Sequence, residues 1–206
     1  MSFISLTIPE GITMICNDAF RSLPWTNVTL PFTLITIGTG VFTFNSNLSV
    51  VNIPANVSSI GQQTFSSCTG LRTITVDLEN DYFTSVDGVL FNDDITTLVA
   101  YPPANVMTTY TVPASVTTIA AYAFSGMRVL QSLVFQNGLA TINYYSISNS
   151  SSLQTVYIPL SVTNVVYSAI FNCTNLTIRV AASEKPVGWD NNWNSSSRPV
   201  IWGYVD

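Results

Sequence analysis

A short internal repeat constrains this chain more than any other feature. Apolar-proline pairs recur at Ile8-Pro9, Leu30-Pro31, Ile53-Pro54, Val112-Pro113 and Ile158-Pro159, at spacings of 22, 23, 59 and 46. The 46 is two periods with Phe135-Gln136 between them, and the 59 divides into 23 and 36 at Val76-Asp77. Two other apolar columns keep step: Phe20, Phe42, Phe65, Phe124, Ile147 and Ile170, and Ile15, Ile37, Ile60, Ile119, Ile142 and Val165. Each unit reads Leu-x-x-Ile-x-Ile-Pro, a turn, then Val-x-x-Ile-Gly-x-x-Ala-Phe, as in Leu71 to Val76 and Ile60 to Phe65. The Ile-x-Ile alternation buries one face of a short strand, and the proline after it stops the strand. A unit this short cannot bury its own apolar face, so the units must stack. The pattern predicts a β-rich repeat solenoid, one domain over 1–206, with a parallel concave sheet of about eight rungs.

Composition narrows the function classes. Only 8% of the 206 residues are charged, net charge is −5, and one of the six basic residues is a lysine. Ser, Thr and Asn make up about a third of the chain and carry the polarity instead. A nucleic acid or an anionic membrane needs a Lys/Arg footprint that this chain lacks, so neither is expected as a partner. No histidine is present, which removes His-dependent triads, His-ligated metals and imidazole acid–base chemistry. No apolar run is long enough to span a membrane. No signal peptide is visible in residues 1–15.

The segments Ile53-Pro-Ala-Asn-Val-Ser-Ser-Ile-Gly-Gln-Gln-Thr-Phe-Ser-Ser-Cys68-Thr-Gly-Leu71 and Val112-Pro-Ala-Ser-Val-Thr-Thr-Ile-Ala-Ala-Tyr-Ala-Phe124 resemble the leucine-rich repeats of the BspA-like (Treponema pallidum-type) family. Ser85-Val-Asp-Gly-Val-Leu-Phe91 and the ending from Gly188 to Tyr204 also look like features of that family. The resemblance covers nearly the whole chain and implies a right-handed leucine-rich-repeat solenoid. It also implies a surface-exposed module for adhesion or ligand binding, with no defined activity and no catalytic residues to carry over.

Outward positions of the strands form two columns. One runs through Thr7, Thr29, Asn52, Thr75, Thr111, Val134 and Tyr157, the other through Ser5, Asn27, Val50, Thr73, Thr109, Ser132 and Thr155. With rungs about 4.8 Å apart they would make a regular array of hydroxyls and amides roughly 30 Å long. Thr suits any exposed β face, but the same array is a neutral recognition surface for a protein or a glycan. Its candidate contact residues are Asn27, Thr29, Asn52, Thr73, Thr75, Thr109, Thr111 and Tyr157. Ice binding needs unbroken Thr columns, and Asn, Val and Tyr interrupt these.

The long repeat, 77–112, exceeds the period by 13 and carries six of the chain's eleven carboxylates: Asp77, Glu79, Asp81, Asp87, Asp93 and Asp94. Val86 to Phe91, the turn Asn92-Asp93-Asp94 and Thr97 to Tyr101 read as a β-hairpin. The carboxylates suit turn and cap roles. Asp77, Glu79 and Asp81 lack the glycine and downstream glutamate of a calcium loop, and a glycosidase pair such as Asp87 with Asp93 has no visible cleft. Cys16, Cys68 and Cys173 lie rungs apart, too far for a disulfide or a zinc site, and are expected to be free and mostly buried. Seven Asn-x-Ser/Thr sequons, at Asn27, Asn47, Asn56, Asn149, Asn172, Asn175 and Asn194, barely exceed the about four that composition alone predicts.

Trp189, Trp193, Trp202 and Tyr204 crowd the tail over 181–206, where an open solenoid end needs a lid. An exposed Trp platform for carbohydrate is the alternative. The N-terminal strand Phe3 to Ile8 has no such cover and offers an edge for edge-to-edge assembly. The expected function is a non-enzymatic protein- or glycan-binding or adhesion module of a microbial cell surface or extracellular space, needing no cofactor and no metal. A structural component of a virion or another assembly is the second expectation, and a carbohydrate-active enzyme a distant third.

Overall fold

The computed structural model describes residues 5–205 as an all-strand solenoid, with no helix among them. Three strand columns run along its axis. The first comprises β1 (Ser5–Thr7), β3 (Asn27–Thr29), β5 (Val50–Ile53), β7 (Thr73–Val76), β11 (Thr109–Thr111), β14 (Ser132–Val134), β17 (Thr155–Ile158), β20 (Thr177–Val180) and β21 (Val200–Trp202). The second holds β2 (Met14–Ile15), β4 (Thr36–Ile37), β6 (Ser59–Ile60), β10 (Thr97–Ala100), β12 (Thr118–Ile119), β15 (Thr141–Ile142) and β18 (Asn164–Val165). The third holds β13 (Phe124–Ser125), β16 (Ile147–Ser148) and β19 (Ile170–Phe171). A hairpin of β8 (Phe83–Val86) and β9 (Val89–Asn92) is inserted in the fourth turn, with β9 buried. Pairing between turns is parallel and in register, Leu133 beside Val156 and Ile119 beside Ile142, so like residues of each unit meet.

The first column makes about nine turns, one more than the periodicity suggested. The added rung is β21 of the tail, which pairs in parallel with β20; the fourth turn, counted in the first column at Val76, is complete in the other two columns as well. Leu98 pairs with Ile119, and the Tyr101 N–H donates to Ala123 O at 2.8 Å, as that of Phe124 does to Ser146 O. Leu98 and Tyr101 therefore fill the second- and third-column places that the sequence left vacant between Phe65 and Phe124. The stretch from Ile74 to Leu98 holds all the added residues. They form a three-stranded antiparallel meander, β8 on β9 on β10, where one hairpin was expected.

Most inward residues of the turns are sealed, with Leu6, Phe20 and Ile60 half-buried. Ile37, Val51, Ile74, Leu133, Ile142 and Val156 are fully buried. Phe20, Phe42 and Phe65 stack at 6.1 and 6.0 Å, and Tyr101 stacks on Phe124 at 5.3 Å. A Cβ on Gly61 would overlap the backbone of Gly38 and Thr39 in the preceding turn, which accounts for the Ile-Gly pair of that unit. Between the second and third columns the chain reverses through a left-handed residue in each regular turn: Asp18, Gly40, Gln63, Tyr122, Tyr145 and Ser168, with φ between 50° and 68°. Only Gly adopts this region freely; the others hold it at about 1–2 kcal/mol each.

The core divides in two at the meander. Leu90 and Ala100 pack with the N-terminal turns, while Val89, Phe91, Leu98 and Tyr101 pack with the C-terminal ones. The tail joins the second core: Trp189 is 2% and Trp193 5% exposed, and the Trp189 indole N–H donates to Val162 O at 3.0 Å.

Candidate functional site

The outward residues of the first column stand where the alternation placed them, but not as one unbroken array. Pairing stops between β7 and β11. The Asp87-Gly88 turn of the hairpin occupies that gap: the Ile74 N–H donates to Gly88 O at 2.9 Å, and a Cβ on Gly88 would meet the Thr73 side chain. Pairing also lapses between β3 and β5, so Asn27 and Thr29 belong to one segment, Asn52, Thr73 and Thr75 to a second, and Thr109, Thr111 and Tyr157 to a third. Thr73 and Tyr157 are half-buried, the other six exposed. The ladder is partly self-bonded, with Thr75 Oγ1 donating to Asn52 Oδ1 at 2.9 Å and Thr155 Oγ1 on Ser132 Oγ at 3.1 Å. The physical reason for the break after β7 is that an insertion has no partner in the neighbouring turn, so its own turn fills the ladder position.

The segment of Thr109, Thr111 and Tyr157 ends in a groove of about 510 Å³ lined by Val134, Phe135, Tyr157, Pro159, Leu160 and Tyr204. Tyr157 meets Tyr204 edge-on at 4.7 Å, and the Arg179 guanidinium lies 4.9 Å above the Tyr204 ring while donating to its hydroxyl at 3.2 Å. Arg179 Nε is buried with no hydrogen-bond partner among the described residues. Arg179 was missed as a candidate although its signal was present: it follows Tyr157 by one period and pairs with it in register. Tyr204 carried no such signal, because the tail has left the period. Aromatic edges, a guanidinium and a row of hydroxyls can together hold a ligand by stacking and neutral hydrogen bonds.

The other candidates separate cleanly. Asp87 and Asp93 sit at opposite ends of β9, a span of roughly 20 Å for an extended strand, well beyond the separation of a glycosidase pair. Asp77 Oδ1 accepts the Glu79 N–H at 3.0 Å, and Asn92 Oδ1 accepts the N–H groups of Thr96 and Thr97, both turn roles. Among the described residues no three His, Cys, Asp or Glu side chains come close enough to hold a metal ion. The cysteines are unpaired, with Cys68 and Cys173 buried and Cys16 exposed. Cys16 lies in the first of the described turns, and β2 beside it pairs with described residues on one side only. Burial pushes the Cys68 thiol up to about 12 and that of Cys173 to about 11. The folded chain keeps both protonated at pH values where an exposed thiol has ionised, so neither is a nucleophile.

A model of the BspA type leucine rich repeat region matches residues 1–100 and 99–184, in six copies. No curated protein matches the sequence. Among solved structures, a leucine rich cell surface protein from Faecalibacterium prausnitzii is similar at TM-score 0.60 and 23% identity over 98% of this chain and 63% of the other. A leucine-rich repeat protein from Eubacterium ventriosum is similar at TM-score 0.53 and 22% identity over 85% of this chain and 65% of the other. The chain thus spans less than two thirds of the length of either. The Pneumococcal vaccine antigen PcpA is similar at TM-score 0.55 and 18% identity over 98% of this chain and 79% of that one. At these identities the likeness is one of fold.

Proposed function

The chain belongs to the BspA-type leucine-rich repeat family, and from that premise we propose that it is a non-enzymatic binding module of a microbial cell surface, contacting a protein or glycan ligand through its first strand column. The observation that carries this reading is the uncharged face itself. Asn27, Thr29, Asn52, Thr75, Thr109 and Thr111 project along the first column, in register within each paired run, and lead to the groove beside Tyr157 and Tyr204. A rigid, pre-ordered face loses little entropy on binding, which favours recognition without chemistry. Labelled protein should bind epithelial cells saturably. Asn52→Lys with Thr75→Lys, or Tyr157→Ala, should weaken that binding at least ~10-fold, the size expected for contacts central to an interface. Equal binding by wild type and both variants would refute a ligand surface here.

A second reading is favoured by an exposed apolar face on the first described turn. Leu6, Ile8, Ile12, Met14, Ile15 and Phe20 line a groove of about 350 Å³ there, with Met14 59% and Ile12 39% exposed. Among the described residues, β1 and β2 each pair on one side only. The edge of the expected strand at Phe3 and Ile4 lies outside the described residues. Self-association through this end would make the chain part of an assembly. Sedimentation should then show a concentration-dependent species that Met14→Asp abolishes; a monomer at all concentrations would end this second reading.

A further inference from the structure

The corner that follows the first strand column carries a surface of another kind. In the second turn Phe32 is 60% and Ile35 46% exposed, while Leu34 and Ile37 of the same turn fill its inward places and are fully buried. The core therefore requires neither exposed side chain. One period earlier and later, the register puts Glu10 and Ala55 in the place of Phe32, and Thr13 and Ser58 in that of Ile35. Tyr82, 54% exposed, comes to the same corner from the fourth turn. Phe32, Ile35 and Tyr82, together with Asn56 and Ser58, line a groove of about 540 Å³.

The groove is braced, and its margin is acidic. The Asn56 amide donates to Phe32 O at 3.0 Å and the Ser58 N–H to Ile35 O at 2.9 Å. The Asn80 amide ties the fourth turn to Pro54 O and Val57 O. Glu79 and Asp81 stand exposed on the margin, and the Glu10 carboxylate accepts the Phe32 and Thr33 N–H groups at 3.0 and 3.2 Å. The corner stretches 9–14, 31–36, 54–59 and 77–83 hold four of the chain's eleven carboxylates and none of its six basic residues. Among the described residues the only ion pair joins Arg21 to Asp18, so none of their cations neutralises Glu79 or Asp81. An exposed apolar floor inside a charged margin is the make-up of an interface. A neutral glycan would leave the carboxylates unmatched, and an anionic partner would be repelled.

We propose that this groove docks a protein segment in which two adjacent apolar side chains are flanked by lysines or arginines. The apolar pair lies on Phe32, Ile35 and Tyr82, and the cations reach Glu79 and Asp81. From the second turn to the fourth is two ladder spacings, roughly 10 Å, which an extended segment crosses in about three residues. Long Lys and Arg stems cover apolar surface while their charged ends stay at the margin. The attraction acts between exposed charges, so salt screens it. This site is separate from the outward residues of the first column and does not depend on them.

Fluorescence anisotropy with a labelled peptide Lys-Lys-Phe-Leu-Lys-Lys provides the test, beside peptides carrying Ser or Glu in place of every Lys. The Lys peptide should bind saturably, the Ser peptide at least ~10-fold more weakly, and the Glu peptide not at all. Glu79→Gln with Asp81→Asn should weaken binding of the Lys peptide at least ~10-fold, and so should Phe32→Ser. All three substituted side chains are exposed, so the fold does not rest on them. Asp87→Asn with Glu184→Gln removes the same charge away from the groove, and Tyr157→Ala alters the first-column face; both should bind like wild type. No binding of the Lys peptide, equal binding of the Lys and Ser peptides, or equal loss in the two charge-removing variants overturns the proposal. A concentration-dependent dimer abolished by Phe32→Ser would make a second copy the occupant and overturn it too. Loss of binding in Tyr157→Ala alone would also overturn it, while supporting the first-column reading.

Discussion

Phe124→Ala is expected to remove about 3–5 kcal/mol of stability and to separate the unfolding of the two halves of the solenoid. Phe124 is fully buried, with Tyr101 at 5.3 Å, Phe135 at 6.3 Å and Tyr110 at 6.4 Å around it. It sits in the C-terminal core directly after the turn that carries the meander. Each turn of a solenoid contacts only its neighbours, so a cavity is felt locally before it is felt globally. Three of the four tryptophans, Trp189, Trp193 and Trp202, pack in or against the same core. Tryptophan fluorescence should therefore report unfolding at lower denaturant than far-ultraviolet circular dichroism does, with a residual dichroism transition from the N-terminal turns. Coincident transitions, or a loss below about 1 kcal/mol, would contradict the division of the core.

Trp189→Ala should cost a comparable ~3–5 kcal/mol and open the C-terminal end. Trp189 packs edge-on against Trp193 at 4.9 Å and tilted against Trp202 at 6.0 Å, and its indole N–H caps the Val162 carbonyl. Truncation leaves a cavity and an orphaned carbonyl together. The thiols provide a local readout. Cys16 alone is exposed in the intact chain, and Cys173 lies fully buried in the core that the tail covers. A thiol reagent at neutral pH should titrate one cysteine in wild type and two in Trp189→Ala, with Cys68 remaining protected in the other core. An unchanged titration with unchanged stability would show that the tryptophans do not close the solenoid.

The period, and with it the strand alternation and nearly every buried side chain of the regular turns, was readable from Ile37, Ile60, Phe42, Phe65, Ile142 and Ile170. These residues recur because each unit must present the same apolar points to identical neighbours, so translation along the sequence equals translation along the axis. The outward residues Asn52, Thr75 and Tyr157 followed from the same logic. Arg179 was within its reach, one period beyond Tyr157, and Leu98 and Tyr101 were hidden only because the turn that holds them had been lengthened.

What the sequence alone determined is the solenoid, the inward columns and the near absence of charge. The tertiary structure decided the rest: the entry of the Asp87-Gly88 turn between β7 and β11, the division of the core at the meander, the groove at Tyr157 and Tyr204, and the groove at Phe32, Ile35 and Tyr82. The reason is physical. A repeat is specified by local period, whereas an insertion, a tail or a side chain on the outer surface has no counterpart in the next turn to dictate its place. Its position comes from contacts between residues far apart in the chain, which only the packed molecule contains.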